Sequence, residues 1–183
     1  MASVKTLLNT LKPVLFLAVL PSLVIFGVIF VFQRPAHNIE PTTPYTDIRI
    51  SNSSVKLNKT GNNFGTISQK EGLVDTVYEV TNTGSEDIFL KEMYTSCACT
   101  KAQLIYPDGS TSSLYTMKGH ANPQDFYVGK SIKPGETVKI KAVFDPNAHG
   151  PQGIGYIKRN IMLDTNMRER SLIQVSLEAD VTK

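Results

Sequence analysis

The chain is 183 residues long, enough for one compact domain behind a leader, and holds two cysteines and no tryptophan. Its 19 Lys+Arg against 16 Asp+Glu give a net charge of +3. Setting aside Lys5, Lys12, Arg34 and Glu40, which flank a single long apolar run, leaves 16 basic against 15 acidic residues. No basic patch or charge block remains, which speaks against a nucleic-acid partner.

Residues 1–13 carry Lys5 and Lys12 and are expected in the cytoplasm. From Val14 to Phe32 the chain reads VLFLAVLPSLVIFGVIFVF without a charge. Crossing the hydrocarbon core takes roughly 20 apolar residues, and Pro and Gly are tolerated in such helices. A cleaved signal peptide has a shorter apolar region of about 7–15 residues and a small-x-small cut site. Here Arg34 occupies the −3 position of the only nearby candidate cut, after Ala36. The expectation is an uncleaved signal anchor over 14–32 and a single-pass cell-membrane protein. The positive-inside tendency then leaves the C-terminal part extracytoplasmic, in the cell envelope. Residues 33–44, with Pro35, Pro41 and Pro44, read as a semi-rigid spacer.

From residue 45 to 183 the signal is alternation. Ile173, Val175, Leu177, Ala179 and Val181 interleave with polar residues, as do Val138, Ile140, Ala142 and Phe144. Val74, Thr76, Tyr78 and Val80 repeat the pattern more weakly, and Ile88 with Leu90 and Ile157 with Ile161–Leu163 mark further strands. Period-two patterns describe strands with one face buried. Asn82-Thr83-Gly84, Pro107-Asp108-Gly109, Lys133-Pro134-Gly135-Glu136 and Asp164-Thr165-Asn166 supply turns. The expected fold class is all-β, a two-sheet sandwich of about seven or more strands preceded by a single N-terminal transmembrane helix.

These residues carry a resemblance. Asn63-Phe64-Gly65-Thr66-Ile67, Tyr78 to Gly84, Ser96-Cys97-Ala98-Cys99-Thr100, Ile132 to Glu136, Phe144-Asp145, Gly153-x-Gly155 and Asp164-Thr165-Asn166 follow one another in order. Together they resemble the bacterial family called domain of unknown function 1573, which is similar to immunoglobulin-like modules of the major-sperm-protein and cilia-associated group. The resemblance spans roughly 45–183 and implies an immunoglobulin-like sandwich. It implies no activity. Two departures stand out. Ala98 replaces the family's usual glycine, and about thirty residues, Lys101 to Ser131, separate the cysteine motif from the Pro-Gly turn. That stretch reads as an inserted hairpin over about 101–131.

Cys97 and Cys99 invite three readings. On a strand they would face the same way, with Cα atoms near the upper end of the range a disulfide spans. They are then structural, as buried thiols or a local bridge, or redox-active through a strained and easily reduced bridge, or a soft-metal pair. As copper ligands they would need help from Met93, Met117 or His120. The structural reading leads, and no cofactor is expected from it.

Other candidates reduce to ordinary roles. Ser53-Ser54-Val55-Lys56 and Lys59-Thr60-Gly61 mimic penicillin-binding motifs but are almost adjacent and lack Ser-Asp-Asn. His37 and His149 read as solvated loop residues, and two glycosylation sequons, Asn52-Ser53-Ser54 and Asn58-Lys59-Thr60, arise by chance. With no catalytic constellation, the function expected is non-enzymatic binding or scaffolding of an envelope protein partner. Its contact region is placed at 101–131 through Tyr106, Tyr115, Phe126 and Tyr127, and the same aromatics read equally well as packing the inserted hairpin onto the sandwich. The alternative is a thiol-redox or copper-handling envelope protein centred on Cys97 and Cys99.

Overall fold

The computed structural model describes residues 48–119 and 122–183. The expected cytoplasmic segment, anchor and spacer (1–13, 14–32 and 33–44) and the candidate ligand His120 lie outside the described residues. Among the described residues no helix is long and apolar enough to cross a membrane.

Nine strands form among them: β1 (Val55–Leu57), β2 (Gly61–Ser68), β3 (Val74–Asn82), β4 (Ile88–Thr95), β5 (Thr100–Ile105), β6 (Tyr127–Ile132), β7 (Thr137–Phe144), β8 (Gly155–Thr165) and β9 (Leu172–Thr182). They build an all-β, two-sheet sandwich. One sheet runs β1-β3-β7-β5 and the other β2-β9-β8-β4-β6. Pairing is antiparallel throughout except for β2 beside β9.

The alternating residues face one another between the sheets. Tyr78 and Val80 of β3 and Val138, Ile140 and Ala142 of β7 are buried, as are Ile161 and Leu163 of β8 and Ile173, Val175 and Leu177 of β9. Tyr78 also ties the layers together, donating its hydroxyl proton to the Ser176 carbonyl at 2.7 Å. Two strands depart from strict alternation. In β4 a register shift between Leu90 and Glu92 moves the inward phase by one residue. Met93 and Thr95 therefore join Ile88 and Leu90 in the interior. In β2 the shift falls between Asn63 and Thr66, where Gly65 takes φ +68°, a conformation that favours glycine.

The turn motifs are hubs. Asn82 is 0% exposed. Its Nδ2 donates to the carbonyls of Glu86 (2.8 Å) and Ile132 (3.0 Å), while Oδ1 accepts from Ser53 Oγ (2.7 Å) and the Gly84 N–H (3.1 Å). Its backbone completes the knot, accepting from the Gly135 N–H and donating to the Glu136 carbonyl, both at 2.9 Å. Asn166 does the same on the other sheet, donating to the Arg49 carbonyl and accepting from the Phe89 N–H. Ser53 is thus part of the Asn82 network, and Lys59 Nζ donates to Asn62 and Thr76, so the penicillin-binding mimicry dissolves into structure.

The 101–131 elaboration is narrower than its sequence suggests. β5 pairs with β7 along its length, and β6 pairs with β4, so both belong to the sandwich. The segment between them folds back after the turn at Pro107-Asp108-Gly109. Tyr115 exchanges both backbone hydrogen bonds with Ala102, and the Ser112 N–H donates to the Leu104 carbonyl. This arm covers the outer edge of β5.

Candidate functional site

The strand placement assumed for Cys97 and Cys99 is overturned. β4 ends at Thr95 and β5 begins at Thr100, so both cysteines sit on the connection that carries the chain from one sheet to the other. A turn brings their Cα atoms to 5.3 Å, and the two sulfurs are joined as a disulfide. Ala98 fits the turn without left-handed backbone, since no non-glycine residue among those described has positive φ.

The turn is held independently of the bridge. Thr95 is buried and its Oγ1 lies 2.9 Å from the Cys97 carbonyl and 3.0 Å from that of Thr100. The Thr100 N–H donates to the Cys97 carbonyl at 3.1 Å, and the Asp145 N–H to the Cys99 carbonyl at 2.9 Å. On the far side, the Ser96 N–H donates to the Asn160 carbonyl while the Asn160 N–H donates to Ser96 Oγ, each at 2.9 Å.

Two side chains distant in sequence converge on the sulfurs. Arg159, on β8, donates from Nε to Cys99 Sγ at 3.2 Å and is fixed by a second bond from Nη1 to the Lys158 carbonyl at 3.0 Å. His149 presents Nε2 3.4 Å from Cys97 Sγ. It belongs to the loop after β7, where Asp145 Oδ1 accepts from the Asn147 N–H and Gln69 Nε2 donates to the carbonyls of Pro146 and Gly150. His149 is an exposed loop residue, as its sequence setting suggested, and it is also placed against a sulfur. The pair is asymmetric. Cys99 is 4% exposed and packs with the core, whereas Cys97 is only half-buried and accepts the Cys99 N–H at 3.3 Å.

One ligating atom each from Cys97, Cys99 and His149 lies within 4.8 Å of the others. A bridged sulfur is not a thiolate, so soft-metal binding by this trio requires prior reduction. Of the helpers suggested by composition, Met93 is fully buried in the core and Met117 lies in the arm, its backbone bridged to Thr95. His149, 50 residues downstream of Cys99, had no local signal that linked it to the sulfurs.

The expected interface aromatics divide. Tyr115 and Phe126 are each 3% exposed and pack inward, and Tyr106 is half-buried against the core, where burial pushes its hydroxyl pKa up to about 12. Only Tyr127, 38% exposed, is an exposed aromatic among the four, and Tyr115 and Phe126 follow the packing alternative. The arm instead exposes Leu114 (59%), beside an open depression of about 270 Å³ lined by Ser113, Leu114, Thr116, Asp125 and Phe126.

The model of the family described as protein of unknown function (DUF1573) matches residues 55–114. That span includes the cysteine turn and stops short of the Pro-Gly and Asp164-Thr165-Asn166 motifs. Among solved structures, the chain is similar to a protein of unknown function from Porphyromonas gingivalis W83, with 15% identity and a TM-score of 0.51 over 75% of this chain and 51% of that one. The chain thus spans about half the length of that protein, and the likeness is one of fold. It is also similar to an ASH / PapD-like domain of human CEP192, at 13% identity and a TM-score of 0.43, covering 75% of this chain and 92% of that one. No curated protein matches the sequence. Over residues 55–114, from β1 across the disulfide turn into the arm beyond β5, the chain is similar to the family of proteins of unknown function DUF1573.

Proposed function

We propose that the protein is a membrane-anchored, extracytoplasmic binding or scaffolding module that engages an envelope protein through the arm between β5 and β6. The observation that carries this reading is the arm itself. A sandwich strand edge is normally a liability that folds protect. Here the protecting segment also exposes a large apolar side chain, Leu114, at the lip of a depression with Phe126 beneath it. Lys118 lies over the Tyr94 ring at 4.0 Å and pairs with Glu92, so the base of the arm is anchored to β4. An apolar anchor on a rigid support, rimmed by polar groups, is the pattern of a protein contact. The uncharged Val14–Phe32 run and the Pro-containing spacer support display of this surface away from the bilayer.

Chemical cross-linking in intact membranes tests the proposal. A specific cross-linked partner is expected with the native chain and lost with Leu114→Asp, while tyrosine near-ultraviolet circular dichroism stays unchanged. Full retention of the partner in a folded Leu114→Asp chain would move the interface off the arm.

A further inference from the structure

We infer that Cys97 and Cys99 form a thiol–disulfide exchange centre, in which partners attack Cys97 and Cys99 departs as a thiolate held by Arg159. This goes beyond the binding reading and does not depend on the arm. Four observations support it. The half-buried Cys97 can be reached, whereas Cys99 at 4% exposure is shielded, so attack has one direction. The Arg159 guanidinium at 3.2 Å is a charge-assisted donor for a sulfur anion, pre-set by its bond to the Lys158 carbonyl. The Cys99 N–H points at Cys97 Sγ, and His149 Nε2 lies 3.4 Å from the same sulfur, where it can exchange a proton. Finally, Thr95, Asp145 and Asn160 clamp the turn without the bridge, so opening leaves the sulfurs in place to close again.

A structural purpose is poorly served by the same bond. Loop-closure entropy grows with loop length, and this bridge spans a single intervening residue. A metal purpose conflicts with Arg159, whose positive charge beside Cys99 opposes a cation and favours a thiolate.

The reaction partner is a polypeptide dithiol. One of its thiolates attacks Cys97 Sγ, forming a mixed disulfide and breaking the Cys97–Cys99 bond, whose electron pair leaves on Cys99 against Arg159. The partner's second thiolate then attacks the partner sulfur of the mixed disulfide. That step forms a partner disulfide and releases Cys97 as a thiolate, stabilised by the Cys99 N–H and protonated through His149. The partner dithiol loses two electrons and two protons; the Cys97–Cys99 pair gains both electrons, Cys97 takes one proton, and the other passes to solvent while Cys99 stays a thiolate against Arg159.

The test uses the full chain in detergent micelles and a reduced synthetic peptide with two cysteines. The native oxidised chain is expected to convert about one equivalent of peptide to its disulfide, and Arg159→Gln to slow that reaction by about tenfold. Cys99→Ser, leaving Cys97 free, is expected to exchange with the peptide's activated mixed disulfide about tenfold faster than Cys97→Ser, as the exposure difference requires. If Cys99→Ser loses its tyrosine near-ultraviolet signal, the Arg159→Gln comparison decides with both cysteines intact. A bridge that resists the peptide until the chain is unfolded would overturn the inference. So would an Arg159→Gln rate equal to the native one, or retention of one Cu(I) by the reduced chain with no exchange.

Discussion

Asn82→Ala tests whether the Asn-Thr-Gly motif is structural. Its side chain is fully buried and makes four hydrogen bonds, two donated and two accepted, joining residue 53, the β3–β4 turn and β6. Truncation leaves the buried Ile132 carbonyl without this donor, a loss of about 1–3 kcal/mol, and the three partly buried bonds add about 0.5–1.5 kcal/mol each. Allowing for water entering at the turn, the expected destabilisation is about 3–5 kcal/mol, a large share of a typical domain's stability. Urea denaturation of the full chain in micelles, followed by tyrosine near-ultraviolet circular dichroism, measures it. All seven tyrosines lie beyond residue 44, so the signal reports this domain. Asn82→Asp is expected to do no better, since it removes both donated bonds and buries a charge. A loss below about 1 kcal/mol in Asn82→Ala would refute the reasoning, because water would then be replacing every bond.

The remaining predictions concern pH, packing and topology. Burial pushes the Tyr78 hydroxyl pKa up to about 12 from an ordinary 10.0, so the native state holds a proton that the unfolded state releases. That contribution is complete below pH 10 and fades as pH rises through 12. Urea denaturation followed by far-ultraviolet circular dichroism should therefore show a fall between pH 9 and 11, with Tyr78 supplying about 1.4 kcal/mol of it. Tyr78→Phe should shrink the fall by about that amount, and an undiminished fall would contradict the assignment. Gly84→Ala would place a methyl carbon 2.7 Å from Ser53 Cα and 2.8 Å from the Ser54 nitrogen, forcing backbone to shift. A cost of about 1–3 kcal/mol in the same urea assay is expected, and neutrality would show that residues 53–54 yield freely. A reporter fused after Lys183 should be active only outside the cytoplasm, and cytoplasmic activity would reverse the proposed orientation.

Local chemistry made much of the fold legible. Alternation in β7 and β9 is a property of consecutive residues, because a strand turns successive side chains to opposite faces. Turn residues announce themselves through their own backbone preferences, and Asn82, Gly84 and Gly135 sit where such turns occur. The β4 bulge was hidden, since one added residue shifts the phase without altering composition, and Met93 became a core residue rather than a candidate ligand. Tyr115 and Phe126 looked like contact residues because aromatic rings serve cores and interfaces equally, and only the folding of the arm back over β5 turned them inward.

The amino-acid sequence by itself determined that two cysteines stand one residue apart, that β strands alternate along the residues after 54, and that residues 55–114 resemble one family. Tertiary structure alone decided that the cysteines occupy a sheet-to-sheet turn, and that His149 and Arg159 arrive at their sulfurs from 52 and 60 residues away. The physical reason is the range of the forces involved. Periodicity and turn preference act over a few residues, whereas the site is assembled by strand pairing, which brings β8 beside β4 and sets the loop after β7 against the start of β5.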